Sequence, residues 1–435
     1  MYSKLYKRYV ATLLLLVYVF NQLDRRVFDI VMEPIKREFL LTDTQLGFVA
    51  GPALVLMYSL LGIPVARWAD RGRRIPIMTV AIALWSAIAA LTATVHETWS
   101  LALVRVGVGV GEAGFSAIAI SVIVDYESEK NRARALATFL LAIPIAAMIS
   151  NVLGGWVNQL YGWRPVFLIA GLPGILLAVL MGTTVRDPPR RLPSSSQELN
   201  RPPMRVVLAT LWQRRSLRHL AIAQGLSNIV VNTIASWVSV LFIRRHHMAT
   251  GELGSWLGLA EGLGALVCIW SSGFVVSRFG AKDPRVRTHL LASVSLLVTP
   301  LALLVLWYPS KNVALVTYLL LNLLLQFYMA PTAALTQDLI GPNMRATMVA
   351  IFFLIQMILG GVIGGQLIGI LSDVFAPITG NVTVALCWSM TLGSLVTVWA
   401  AVHYWLAGQT VREDLAVVCG NTDAPHSLEQ AEIAV

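Results

Sequence analysis

The residues able to do chemistry are concentrated in two apolar stretches of the chain. The first carries Asn21, Asp24, Arg25, Arg26, Asp29 and Glu33, and the second carries Arg105 and Glu112. An ionisable side chain at the centre of a membrane span costs about 2.5–3.5 kcal/mol on insertion scales, so it faces a cavity or a partner. A helix entering near Tyr9 lifts Asp24 about 22 Å into a core about 30 Å thick, and one descending from Trp99 carries Arg105 about 9 Å below the far surface. Asp24 and Arg105 then share a depth and can pair. Glu112 follows seven residues later on nearly the same face, about 10 Å deeper. A carboxyl that meets a cation in one conformation and loses it in another can release and regain a proton. Asp24 and Glu112 are therefore candidate proton carriers, and Arg105 or Arg25 can hold an anionic head group in a bidentate contact. The competing reading is a purely structural Asp24–Arg105 bridge between two helices. Arg26, Asp29 and Glu33 have partners three or four residues away near the outer boundary and read as a solvated helix end. Glu261 is a further acid in an apolar stretch.

Positioning such groups takes long helices, and the composition supplies them. The 435 residues are 57% hydrophobic and 13% charged, with a mean hydropathy of +0.70. Soluble domains carry about 25% charged residues, so a soluble enzyme, a disordered scaffold and a secreted disulfide domain are excluded. Apolar blocks predict twelve spans: 9–32, 45–66, 75–95, 99–124, 135–160 and 166–185, then 220–243, 253–276, 289–308, 313–336, 346–371 and 384–406. The expected fold is all-α and polytopic. It divides into a six-helix bundle at 1–185, a proline-rich cytoplasmic linker with an interfacial helix at 186–218, a second six-helix bundle at 219–407 and a disordered tail at 408–435. Cys268, Cys387 and Cys419 suggest neither a disulfide framework nor a metal site. The net charge of +10 reflects loop topology rather than nucleic-acid binding. With both termini inside, cytoplasmic segments hold 24 of the 33 Lys and Arg residues and the opposite side holds six. That asymmetry predicts cytoplasmic termini.

The halves also repeat. Ala66-Arg-Trp-Ala-Asp70-Arg71-Gly72-Arg73-Arg74 is echoed by Gly273-Phe-Val-Val-Ser277-Arg278-Phe-Gly280-Ala-Lys282, and Asp125…Arg134-Ala135…Gly154 by Asp338…Arg345-Ala346…Gly365. Equivalent helices stand six spans apart. The halves are thus parallel, related by an axis along the membrane normal, and enclose a cavity that rocking exposes to each side in turn.

The G-x-x-x-D-R-x-G-R-R/K pattern in these loops resembles that of the major facilitator superfamily. Ser277 replaces the acid in the second copy, and the first is one residue short with Ala66 in place of glycine. Within that superfamily, Asn21-Gln-Leu-Asp24-Arg25 and Arg105-x-Gly107-x-Gly109-x-Gly111-Glu112-Ala113 are similar to the Spinster lipid-transporter family, with Gly162-Trp163-Arg164 and Leu172-Pro173-Gly174 in agreement. The resemblance implies a major facilitator fold working by alternating access on an amphiphilic anionic lipid, a lysophospholipid or a sphingosine-phosphate-like molecule. It also implies a cytoplasmic gate at Asp70, with Arg71, Arg73, Arg74 and Arg278 as candidate partners.

In the second half, Asn228, Asn232, Ser236 and Ser239 form a polar stripe, as do Asn322 and Gln326. With Asn21, such groups can line a substrate cavity or bind helices together. A cavity polar toward the first and fourth spans and apolar elsewhere suits an amphiphile with an anionic head. Gly109-Val-Gly111-Glu-Ala-Gly114 formally matches a dinucleotide fingerprint but lies inside an apolar span, where small residues permit close helix approach. No phosphate-binding loop, zinc-protease or serine-hydrolase motif is present. The expectation is a proton-coupled secondary transporter, not an enzyme, without cofactor or metal. It would be monomeric and embedded among the lipids of a bacterial inner membrane. The alternative is a proton-coupled symporter of a small organic anion.

Overall fold

A computed structural model describes residues 2–189, 202–279 and 283–422. The described residues are helical throughout, and the helices fall into twelve spans. The first six are α1 (Lys4–Phe39), α2 (Asp43–Ala50 and Pro52–Arg71), α3 (Arg74–Leu91), α4 (Thr98–Glu112 and Phe115–Tyr126), α5 (Glu129–Leu140 and Ala142–Tyr161) and α6 (Trp163–Thr184). A linker helix, Met204–Gln213, precedes α7 (Arg215–His246), α8 (Thr250–Phe279), α9 (Pro284–Trp307) and α10 (Lys311–Leu325 and Met329–Asp338). α11 is built from Arg345–Gln356, Met357–Gly364 and Gly365–Thr379, and α12 is Val382–Thr422. Ten of these spans are long and apolar enough to cross a membrane. α1 and α8 complete the set with 36 and 30 residues, at about 1.5 Å per residue more than the ~30 Å that crossing requires.

Within the first half α1 packs on α5 and α6, α3 on α6, and α4 on α2 and α3; within the second, α12 packs on α7, α9 and α11. The halves meet through α5 with α8, α2 with α11 and α1 with α7. The α5–α8 contact depends on glycine, because a Cβ on Gly155 would stand 2.3 Å from the Thr250 carbonyl oxygen and one on Gly254 2.1 Å from that of Asn151. These close approaches lie toward the end of the bundle away from the chain termini, here called the distal end. Nearer the terminal end, Glu129–Leu140 of α5 packs on α1 and α4, and Arg345–Gln356 of α11 packs on α7, α10 and the linker helix, each within its own half.

Helix breaks recur at equivalent places. α4 breaks at Ala113–Gly114, where Gly114 adopts φ +77, and α10 breaks at Gln326–Tyr328, an offset matching the sequence repeat. Met357–Gly364 of α11 is a π-helix, whose wider turn displaces carbonyls from the regular ladder. Side chains of α7 meet the carbonyls around it: Asn228 donates to Gln356 at 2.6 Å, Thr233 to Gly364 at 3.2 Å and Trp237 to Gly365 at 2.8 Å.

One expectation changes. Residues 408–422 are not a disordered tail: α12 runs on through Thr422, and Asp414 accepts from the backbone N–H and hydroxyl of Ser216 at the start of α7. Residues 423–435 lie outside the described part, as do 190–201 of the linker. The predicted interfacial segment is helical, with Val207 and Leu211 buried against the bundle and Trp212 exposed.

The glycine contact at the distal end gives a direct test. Gly254→Leu forces α5 and α8 apart there, so a cysteine at Ser236, in a background lacking the native cysteines, should react several-fold faster with an impermeant maleimide added from the distal side. Unchanged labelling would show that the two helices do not set the closure.

Candidate functional site

The site is assembled around α1. Gly109 and Gly111 let α4 lie directly on its neighbours, since a Cβ at Gly109 would stand 2.3 Å from the Leu54 carbonyl oxygen of α2 and one at Gly111 2.7 Å from the Trp85 nitrogen of α3. That approach, with the break after Glu112, delivers Arg105 and Glu112 to α1. Arg25 donates through Nε to Glu112 Oε2 at 2.5 Å, with its guanidinium 4.3 Å from the Tyr58 ring centre. Asp24 and Arg105 approach to 3.9 Å, both with side chains 2% exposed. Arg105 spends its Nε on the Val49 carbonyl at 3.4 Å and lies over the Phe28 ring. Neither carboxyl oxygen of Asp24 has a hydrogen-bond partner, nor does Nη1 of Arg105. The pairs therefore differ: Arg25–Glu112 is a tight hydrogen-bonded bridge, whereas Asp24–Arg105 is a bare juxtaposition.

Below the distal closure a cavity of about 300 Å³ lies between the halves. Its first-half wall carries Arg25, Arg26, Asp29 and Arg105; its second-half wall carries Asn228, Asn232, Ser236, Gln326 and Gln356 among apolar side chains such as Phe353 and Met357. Four of the six expected cavity residues are thus on its wall. Asn21 is not among them: it is buried on α1, with its amide nitrogen unpartnered. Asn322 is also absent, because it is buried inside the second half and donates back to Tyr318 one turn earlier. Both sit on helix faces turned away from the cavity, a matter of azimuth that residue type does not reveal.

The outer charges of α1 do not form a solvated helix end. Glu33, Asp43 and Arg244 are all buried. Arg244 of α7 donates to Glu33 at 2.8 Å and to both oxygens of Asp43 at 2.7 and 2.9 Å. Lys36 and Ser372 add bonds to Asp43 at 2.5 and 2.6 Å. Asp373 of α11 accepts from the Asp43 and Thr44 N–H groups at 3.0 and 2.7 Å, capping the first turn of α2 from the other half. This distal cluster joins the halves. The available signal was the apolar run Ile30, Val31, Met32 and Ile35, which continues the buried face of α1 beyond the predicted boundary. Deeper in, Glu261 joins the halves too, accepting from Asn151 at 3.2 Å and Tyr318 at 3.0 Å and lying 3.4 Å from Arg26.

At the terminal end Arg71, Arg73 and Arg278 are exposed. Arg74 is not a free gate partner: it is buried within the first half, bonded to Asp125 at 2.6 Å, Ser121 at 2.8 Å and the Pro188 carbonyl at 3.2 Å. Asp70 closes the α2 helix, while its side chain lies outside the described residues, as do Ser277, Gly280 and Lys282 of the second copy.

Similarity to known proteins agrees with this architecture. A family model described as Major Facilitator Superfamily matches residues 14–365. An MFS-type efflux pump of Mycolicibacterium smegmatis is 29% identical over 407 residues, 92% of each chain. The sphingosine-1-phosphate transporter SPNS2 of Danio rerio is 23% identical, covering 82% of this chain and 74% of that one. Among solved structures, a bacterial homolog of the human lysosomal transporter Spinster, inward-facing and unoccupied, superposes with a TM-score of 0.87 at 25% identity, covering 95% of this chain and 99% of that one. Its inward-facing, occupied form gives 0.82. With the family model spanning most of the chain and a Spinster homolog sharing its fold from end to end, this protein belongs to the Major Facilitator Superfamily and resembles its Spinster branch.

Proposed function

We propose that this membrane transporter is a secondary active carrier of an amphiphilic anion, coupled to protons and working by alternating access. The observation that carries the reading is the placing of charge in the cavity: its charged groups, three arginines and one aspartate, all lie on the wall of the first half, while the other carries amides, two hydroxyls and apolar side chains. Such a wall offers a phosphate or carboxylate bidentate donors, while the opposite wall accommodates a chain. The names of the SPNS2 and Spinster relatives favour a lipid with a phosphorylated head, a lysophospholipid or a sphingosine-phosphate-like molecule.

Coupling is assigned to Asp24 with Arg105, supported by Glu112 with Arg25. With Asp24 ionised, Arg105 faces a carboxylate 3.9 Å away. With Asp24 protonated, that electrostatic hold on Arg105 is released and its guanidinium is free to bind the substrate anion. Proton and anion thus bind cooperatively through one arginine. Asp70, Arg71, Arg73 and Arg278 remain the proposed gate at the terminal end, where the excess of Lys and Arg favours the cytoplasmic side. The bundles 1–185 and 219–407 would rock about the cavity as units. A second reading, a small organic anion held by Arg105, is favoured by the cavity volume of about 300 Å³, at the lower end of the range for small-molecule sites.

Three outcomes test these assignments. Asp24→Asn and Glu112→Gln should each suppress pH-driven uptake in proteoliposomes, whereas an unaltered pH dependence in both would reject the coupling. Arg25→Ala strands Glu112 in the interior and should cost about 3–5 kcal/mol in thermal or denaturant unfolding. A second change, Glu112→Leu, should recover much of that loss; no recovery would mean that the bridge is not what the variant breaks. Finally, lysolipids should raise the unfolding temperature of the purified protein and short organic acids should not, the reverse pattern selecting the smaller substrate.

A further inference from the structure

The linker helix leaves an apolar stripe largely exposed. Met204, Leu208 and Trp212 recur every four residues, 56%, 48% and 68% exposed, on the flank of the helix beside buried Val207 and Leu211. Basic and aromatic groups continue from its end. The Arg218 guanidinium lies 5.7 Å from the Trp212 ring centre and donates to the Trp212 carbonyl at 3.2 Å. The next residue, His219, shares a 2.8 Å Nδ1–Nδ1 hydrogen bond with His403 of α12, whose ring contacts Trp399, itself 58% exposed. One imidazole donates in that bond and the other accepts, which leaves each Nε2 without a protein partner among the described residues. Arg215 is exposed one turn before His219. The acid that comes near, Asp414, is engaged by the N–H and hydroxyl of Ser216.

We propose that the linker helix and the adjoining ends of α7 and α12 form a binding site for an anionic membrane phospholipid in the leaflet facing the chain termini. Arg215 and Arg218 hold the phosphate, the two imidazoles offer further polar contacts, and Trp212 and Trp399 seat at the level of the head groups. The stripe Met204–Leu208–Trp212 commits the occupant to a lipid rather than a free anion, since it must be covered by acyl chain to leave water. Each basic group near a charged leaflet adds to the attraction. The occupied site would tether the segment that joins the two halves. It is separate from the central cavity.

The test titrates the purified full chain with phosphatidylglycerol, phosphatidylcholine or inorganic phosphate and follows the thermal midpoint. Phosphatidylglycerol should raise the midpoint well beyond phosphatidylcholine, and phosphate alone should not. Arg215→Gln/Arg218→Gln and, separately, Trp212→Ala should each cut that rise by more than half, while Arg134→Gln, an exposed charge removed elsewhere at the same end, leaves it intact. Should the double variant not fold, Arg215→Gln alone and Trp212→Ala carry the comparison. Arg105→Ala should retain the phosphatidylglycerol effect whatever it does to the transported substrate. An equal rise in parent and variants, an equal response to phosphate, or loss of the effect in Arg105→Ala would each overturn the assignment.

Discussion

Burying charge in a medium of low dielectric is the constraint on which this structure depends. α1 carries ionisable side chains at 24, 25, 26, 29 and 33, and an isolated ion among hydrocarbon would be prohibitive. Four of the five are answered by an opposite charge from another helix: Asp24 by Arg105 and Arg25 by Glu112 of α4, Arg26 by Glu261 of α8, and Glu33 by Arg244 of α7. α1 is consequently the hub of the molecule, tied to its own half at mid-depth and to the other half further out. A helix so rich in charge falls short of a plain hydropathy criterion because its stability in the membrane is supplied by its neighbours.

The bridges divide into two kinds. Arg25–Glu112 and Asp24–Arg105 lie inside the first half. Arg26–Glu261, Arg244–Glu33 and Arg244–Asp43 cross between halves and would part under the proposed alternating access. Ion pairs suit a contact that is made and broken, since each charge regains water when the pair separates. The glycine contacts between α5 and α8 supply the complementary part: close van der Waals packing of backbone on backbone.

Backbone polarity is handled with equal economy. The π-helix of α11 and the break in α4 would each leave peptide groups unsatisfied in hydrocarbon. The first is answered by Asn228, Thr233 and Trp237 of α7; the second sits beside the Arg25–Glu112 bridge. Asn228 therefore has two duties, lining the cavity with one part of its amide and satisfying a displaced carbonyl with another. The amide stripe expected either to line a cavity or to bind helices together does both.

The sequence alone determined what periodicity and hydropathy encode: an all-helical polytopic chain, its duplication, the depth of each charge along its own helix and the asymmetry of charge between the halves. Depth follows from a fixed rise per residue, so Asp24 and Arg105 could be set at one level before any fold was known. What only the tertiary structure decided is rotation about each helix axis and the partner found there. Asn21 and Asn322 have the same residue type as Asn228 and Asn232 yet face away from the cavity, and Glu112 found its cation on α1 rather than on its own helix. Glu33 keeps the cation its spacing suggests, Arg37 one turn away, and is also buried against Arg244, more than two hundred residues distant. The physical reason is that a helix fixes the spacing of its side chains, but the gap each one meets is set by how closely neighbouring helices approach, and that is decided jointly by glycines and bulky residues on both sides of every contact.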